Sequence, residues 1–220
     1  LKQLNDLGSQ SWLFLGKKQL DAFFGAKTLY AKNNLSQTFS YEMRNDSDVN
    51  ATKLISILDA QGASGCRFID MRLKANTTNT QTTVCVNSSR NNGAFSYRYV
   101  AYPTDATRAD ALKALLDGQK LEGFYPIRVW SLTASDTPRI LFERDSSIGA
   151  GIQGMQYKVY SQSLPSNQPE LANLLNDQGK LGWHFWRQIN DPTGKQLATI
   201  FSSLPFPQLP DGEAVVLDRR

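Results

Sequence analysis

The sequence predicts an α+β fold made of four β-α-β-β repeats, with mostly antiparallel sheets and one helix per repeat on an outer face. Three observations carry this expectation. A helix-end motif recurs four times, an alternating strand motif recurs three times, and the distance between the two is nearly constant. Self-similarity at a fixed period is the mark of a repeat architecture.

The helix-end motif reads Leu4-Asn5-Asp6-Leu7-Gly8 before Ser11-Trp12, and Leu58-Asp59-Ala60-Gln61-Gly62 before Gly65-Cys66. It returns as Leu116-Asp117-Gly118-Gln119-Lys120 before Gly123-Phe124, and as Leu175-Asn176-Asp177-Gln178-Gly179 before Gly182-Trp183. The residues that open the next strand therefore stand at 12, 66, 124 and 183, and each copy spans about 57 residues. The strand motif is Phe39-Ser40-Tyr41-Glu42-Met43, then Phe95-Ser96-Tyr97-Arg98-Tyr99, then Met155-Gln156-Tyr157-Lys158-Val159. Apolar and polar residues alternate, the period of a strand buried on one face. Tyr41, Tyr97 and Tyr157 each lie a similar distance before positions 66, 124 and 183.

Between the two motifs lies a helix. Leu54, Ile57 and Leu58 form an apolar stripe that Leu112, Leu115 and Leu116, and then Leu171, Leu174 and Leu175, repeat. Asn167 before Pro169-Glu170 reads as a helix start, with a capping side chain and Pro in the first turn. Gly8, Gly62 and Gly179 stand where a left-handed C-cap is expected. Lys120 replaces that glycine, so the third helix is expected to run on to Gly123. Two strands joined as a hairpin follow each helix. In the fourth copy Trp183–Ile189 and Leu197–Ser202 flank Asp191-Pro192-Thr193-Gly194, a turn composition. The sequence opens inside the helix of the first copy, so either the residues of its first strand precede Leu1 or another segment supplies that strand, and the apolar tail Ala214-Val215-Val216-Leu217 is expected to pair with its sheet. Residues 1–94 then hold copies one and two, and 95–220 hold copies three and four with the tail. Arg90–Gly93 and Ser146–Gly154 have linker composition.

The two cysteines mark copy two. Cys66 opens its second strand and Cys85 lies in its third, where other copies place Trp12 with Tyr30, Phe124 with Phe142 and Trp183 with Phe201. The spacing reads as a large cross-strand pair replaced by two cysteines that face each other. A Cys66–Cys85 disulfide is predicted, which implies an oxidising compartment; the alternative is a pair of reduced core thiols. Asn34, Asn45, Asn50, Asn76 and Asn87 begin N-x-S/T sequons, which matter only in a eukaryotic secretory pathway.

Composition narrows the function classes. The net charge of +4 is mild, and Lys17-Lys18 is no basic stripe, so no nucleic-acid partner is expected. No apolar run reaches the roughly 18 residues of a membrane helix. The chain opens without a secretory leader, which a mature exported chain would have lost. The single histidine, His184, alternates with Trp183 and Phe185 and reads as an interface residue rather than a general base. Asn5, Asp59, Asp117 and Asn176 share one repeat position. An amide cannot titrate, so the position reads as hydrogen bonding at the helix end, not acid–base chemistry. Gly149-Ala150-Gly151-Ile152-Gln153-Gly154 fits G-x-G-x-x-G but precedes a strand, so it reads as a flexible linker. No metal site and no cofactor are expected. Arg128, Trp130, Trp186 and Arg187 lie on the second strands of copies three and four. With His184 they line a binding groove if they are exposed, and a contact between repeats if they are not.

The strand Tyr157-Lys158-Val159 followed by Leu175-Asn176, Gly179 and Gly182-Trp183 resembles a small bacterial family of unknown function. Its members carry W-E-Y-K-V and then L-N-x-L-G-x-x-G-W-E-L. Ser11, Cys66 and Lys120 depart from that pattern. The resemblance implies the fold and supplies no catalytic residue. The expected function is that of a non-catalytic exported repeat protein, periplasmic or extracellular, binding or scaffolding a protein or another envelope component. The alternative is a hydrolase-type enzyme with a carboxylate/Arg cleft between the halves.

Overall fold

A computed structural model of the chain describes residues 1–21, 25–32, 37–47, 49–73, 81–89, 93–103, 108–130, 138–160, 168–190, 196–203 and 214–216. Copy one contributes α1 (Lys2–Gly8), β1 (Trp12–Asp21) and β2 (Gly25–Lys32). Copy two is β3 (Phe39–Asp46), α2 (Ala51–Ala63), β4 (Arg67–Leu73) and β5 (Gln81–Ser88). Copy three is β6 (Phe95–Ala101), α3 (Arg108–Leu121), β7 (Tyr125–Trp130) and β8 (Arg139–Asp145). Copy four is β9 (Tyr157–Tyr160), α4 (Gln168–Lys180), β10 (His184–Asn190) and β11 (Gln196–Ser202), and β12 (Ala214–Val216) follows it.

Each copy forms one three-stranded sheet of the same topology, with the hairpin's return strand in the middle: β3-β5-β4, β6-β8-β7 and β9-β11-β10. Copy one obtains its third strand from the tail. Ala214, Val215 and Val216 pair antiparallel with Ala31, Tyr30 and Leu29, so β12 takes the edge that β3 occupies in copy two. The fold is α+β with antiparallel sheets. The chain divides into two compact units, Leu1–Ser96 with Pro207–Arg220, and Tyr97–Phe206.

The helix ends differ from the sequence expectation in an informative way. Gly8 and Gly62 lie inside the last helical turn, not in left-handed caps. The left-handed residues come three positions later: Gly65, Gly123 and Gly182, with Ser11 in the same place in copy one. There the chain makes the paired bonds of a Schellman motif. Cys66 N–H donates to Gln61 O and Gly65 N–H to Gly62 O, Phe124 and Gly123 do the same to Gln119 and Lys120, and Trp183 and Gly182 to Gln178 and Gly179. The third helix ends at Leu121 and turns at Gly123, so Lys120 changes nothing in the cap. Ser11 holds φ 67° with a Cβ, a conformation that costs a non-glycine residue about 1 kcal/mol. Ser11→Gly is expected to raise stability by about 1 kcal/mol in urea unfolding.

The hairpin register gives a second shared device. Every second strand carries a one-residue shift: between Phe14 and Gly16, Phe68 and Asp70, Pro126 and Arg128, and Phe185 and Arg187. The extra residues are Leu15, Ile69, Ile127 and Trp186. A bulge at one fixed place bends the strand and breaks strict face alternation beyond it. Phe68, not Cys66, stands opposite Cys85. Likewise Tyr30 faces Phe14, Phe142 faces Pro126 and Phe201 faces Phe185. The paired large residues of the sequence analysis are therefore diagonal neighbours on one face. Strand twist brings such a diagonal close, and Cys66 and Cys85 are joined by a disulfide with Cα atoms 5.4 Å apart.

Leu4 and Leu7 of α1 enter one buried cluster with Phe14 and with Phe39, Tyr41, Val84 and Val86 of copy two. Glycine makes this approach possible. A Cβ on Gly8 would lie closer than 3.0 Å to the Phe39 carbonyl oxygen, and one on Gly62 closer than 3.0 Å to that of Phe95. The helix of one copy thus rests on the backbone of the next copy's first strand. The segment Gly149–Gly154 forms a 3-10 turn inside the second unit, with Ile152 and Met155 buried, so it is no flexible linker. Residues 90–92 and Asn167 lie outside the described residues.

Candidate functional site

The helix-to-strand joint is the best-built polar site in the first unit. Asn5, in α1, places its carboxamide against the free edge of β3. Its Oδ1 accepts from Tyr41 N–H at 2.6 Å and its Nδ2 donates to Tyr41 O at 3.3 Å. The side chain pairs with an edge that another chain would otherwise find open. The Tyr41 hydroxyl then reaches back, accepting from Phe14 N–H at 2.7 Å and donating to Trp12 O at 3.1 Å. The shared Asn/Asp position does its work by hydrogen bonding in this copy.

The matching joint in copies three and four is defective. Tyr157 occupies the Tyr41 position and its hydroxyl is buried without a hydrogen-bond partner among the described residues. Pro126 stands where copy one has Phe14, and proline has no N–H to offer. Burial pushes the Tyr157 phenol well above its usual range, and the nearby Asp117 carboxylate adds to the shift. These two joints predict substitutions of opposite sign. Tyr41→Phe strands a buried N–H and is expected to cost about 2 kcal/mol, whereas Tyr157→Phe removes an orphan hydroxyl and is expected to gain about 1 kcal/mol. Urea midpoints of the two variants check this.

Asp117 itself is titrated by its surroundings. Burial raises its pKa, but hydrogen bonds from Lys113 and Lys120 outweigh that and hold the carboxyl below its usual value. A lowered carboxylate pKa contributes stability above the unfolded value, and that stability is lost as pH falls through the folded pKa. Asp117→Asn should therefore make the melting temperature less sensitive to pH below about 4.

Cations on the first strands and on β8 are held against aromatic rings. Arg98 lies 4.1 Å and Arg144 4.9 Å from the Phe124 ring centre, and Lys158 lies 4.2 Å from that of Trp183. Arg98 also pairs with Glu122, and that bond raises its pKa while lowering that of Glu122. Copy two replaces both members, with Glu42 and Cys66 at the matching positions. Glu42 and the two sulfurs lie close enough together to suggest a metal, but the sulfurs are bonded to each other, and a metal ligand must be a thiolate.

The residues singled out in the sequence fall on two sheets. Arg128 and Trp130 are on β7, while His184, Trp186 and Arg187 are on β10. Arg128 and Trp186 are half-buried, and Trp186 is the bulge residue. His184 is exposed rather than buried at an interface, whereas Tyr125 at the matching position of the matching edge strand β7 is buried, so the difference lies in the thinner cover of copy four. Phe185 beside it is 44% exposed. The side chains of Trp130 and Arg187 lie outside the described residues. Sequence reasoning missed a fully buried pair in copy three: Tyr125 donates to Glu143 directly opposite it. No motif flags it, since the other copies carry Ala31, Val86 and Ser202 at the Glu143 position.

Copy four differs in its helix. Leu54, Ile57 and Leu58 of α2, and Leu112 and Leu116 of α3, are buried, but Leu171, Leu174 and Leu175 of α4 are only half-buried. Asn176 and Gly179 are exposed, and among the described residues nothing lies within 4 Å of the place a Gly179 Cβ would take.

Residues 1–200 match the family model described as PT dipeptide repeat lipoprotein. The chain belongs to that family. The match supports a bacterial repeat family without reaching the particular strand and helix motifs quoted above. A lipoprotein family is one of exported, envelope-attached proteins. Neither the curated proteins nor the solved structures contain a match to this chain. Among the described residues no helix is long and apolar enough to cross a membrane.

Proposed function

We propose that this lipoprotein-family chain is a non-catalytic scaffold on the periplasmic or extracellular side of the envelope, where it binds a protein or another envelope component. The observation that carries the reading is what recurs between copies. The bulge, the left-handed turn and the three-stranded topology return in every copy. Carboxylates do not: Asn5 and Asn176 alternate with Asp59 and Asp117. Repetition of packing devices builds surface, and any chemical centre would have to belong to one copy alone. The groups with shifted pKa in the second unit support the same reading. Asp117, Glu122 and Arg98 are displaced by ion pairs at a helix end, an ordinary structural cause. The Cys66–Cys85 disulfide fits an oxidising compartment. His184, Trp186, Arg128, Trp130 and Arg187 are the residues assigned to the binding surface.

The test is made in cells. Photo-crosslinking residues placed at His184 and Trp186 should capture a defined envelope component, and thiol trapping should find both cysteines oxidised in the envelope fraction. Recovery of the chain in the cytoplasm with two free thiols would refute the reading.

A further inference from the structure

We infer that the open face of α4 is an acceptor for the edge β-strand of a partner protein, one with a large apolar residue, any residue and then Tyr in sequence. The inference rests on the scaffold reading and names the surface and partner chemistry for it. The chain's own joints show what such a helix receives. α1 and α2 each bring a helix-end glycine onto the backbone of a first strand. The strands they receive begin Phe39-Ser40-Tyr41 and Phe95-Ser96-Tyr97. In the first of these the Asn5 carboxamide grips both backbone polar atoms of the tyrosine.

α4 retains each part of that receptor. Asn176 stands at the Asn5 position, Gly179 at the Gly8 position, and Leu171, Leu174 and Leu175 repeat the stripe. All are half-buried or exposed, and Leu181 just beyond the helix is 67% exposed. A glycine with open space above it is a poor choice for a surface helix, where Ala would stabilise by up to about 1 kcal/mol. In the joints that are filled, its absence of a side chain admits a strand.

The chemistry of the occupant follows from the same comparison. A strand edge supplies the N–H and C=O for Asn176, and an aromatic ring fills the space between glycine and leucines. Ala214 of β12 stands in register at the tyrosine position, opposite Ala31 as Tyr41 is opposite Val86. That position of the tail holds no tyrosine, and among the described residues no first strand with the motif is left over, so the occupant is a partner's strand.

The test is an NMR titration of the intact chain with two synthetic peptides, one of the sequence Phe39–Asp46 and the same peptide with Ala for Tyr. The first should produce saturable shifts at Asn176, Gly179 and Leu181. The Ala peptide and the Gly179→Leu variant should each bind at least tenfold more weakly. Absence of saturable shifts at millimolar peptide, or equal binding by Gly179→Leu, overturns the assignment. Self-association abolished by Gly179→Leu would assign the face to a second copy and overturn it as well. The two readings fail separately. If Gly179→Leu still crosslinks to the envelope component captured through His184 or Trp186, the scaffold stands and only the α4 assignment falls.

Discussion

Replacing Cys66 and Cys85 together with Ala is expected to lower the stability of the chain by about 3 kcal/mol in urea unfolding. The cross-link closes a loop of 19 residues, and closing a loop of that size in the unfolded chain is worth about 3 kcal/mol. Both sulfurs are fully buried, so deleting them also leaves a small void in copy two. The loss should be local. Hydrogen exchange should accelerate in β3, β4 and β5, which form one sheet, and stay unchanged in β9 to β11. Reduction of the native chain should cost less than the double substitution, since two thiols still fill the space. Equal stability of the native and doubly substituted chains would mean that the bond does not tie copy two together.

Gly62→Ala is expected to cost about 2 kcal/mol or more, although Ala is the better helix former. Its backbone is helical, so the added methyl group brings no conformational strain and a gain of up to about 1 kcal/mol in propensity. The opposing term is steric. The methyl would collide with the Phe95 carbonyl oxygen and crowd its carbon and Cβ, and a strand backbone cannot turn aside as a flexible side chain can. Forcing such a group into a packed interface costs typically 1–3 kcal/mol, and here both helix and strand must shift. Gly8→Ala meets the Phe39 backbone in the same way.

The repeat was legible because it is written in residues with few alternatives. Alternating Phe, Tyr and Met gave the first strands, leucine stripes gave the helices, and the tail was expected to pair with the copy-one sheet, as Ala214–Val216 does. Glycine was legible in position but not in purpose. Gly8 and Gly62 read as left-handed caps because a helix-end glycine most often is one, whereas the turn is made by Gly65 and its equivalents. The bulges left no mark on the sequence, since Leu15, Ile69, Ile127 and Trp186 share only their apolar character. That one missing residue of offset misassigned Cys66 and Cys85 as directly opposed. His184 was placed inside by strict alternation with aromatic neighbours, and the thinner cover of copy four leaves it exposed where Tyr125 of copy three is buried. The Tyr157 hydroxyl shows the limit most plainly. Its counterpart Tyr41 accepts from Phe14 N–H, where copy three has Pro126 in another sheet, and only the fold brings the two positions into one comparison.

The central claim is that α1 and α2 each carry a strand receptor that is filled, and that α4 carries the same receptor open. Urea unfolding of Gly62→Ala beside Gly179→Ala tests it most directly. The account predicts that Gly62→Ala lowers stability by about 2 kcal/mol or more, while Gly179→Ala leaves it unchanged or raises it by up to about 1 kcal/mol. Equal losses at the two positions would contradict it, because they would mean that α4 already holds a strand against Gly179.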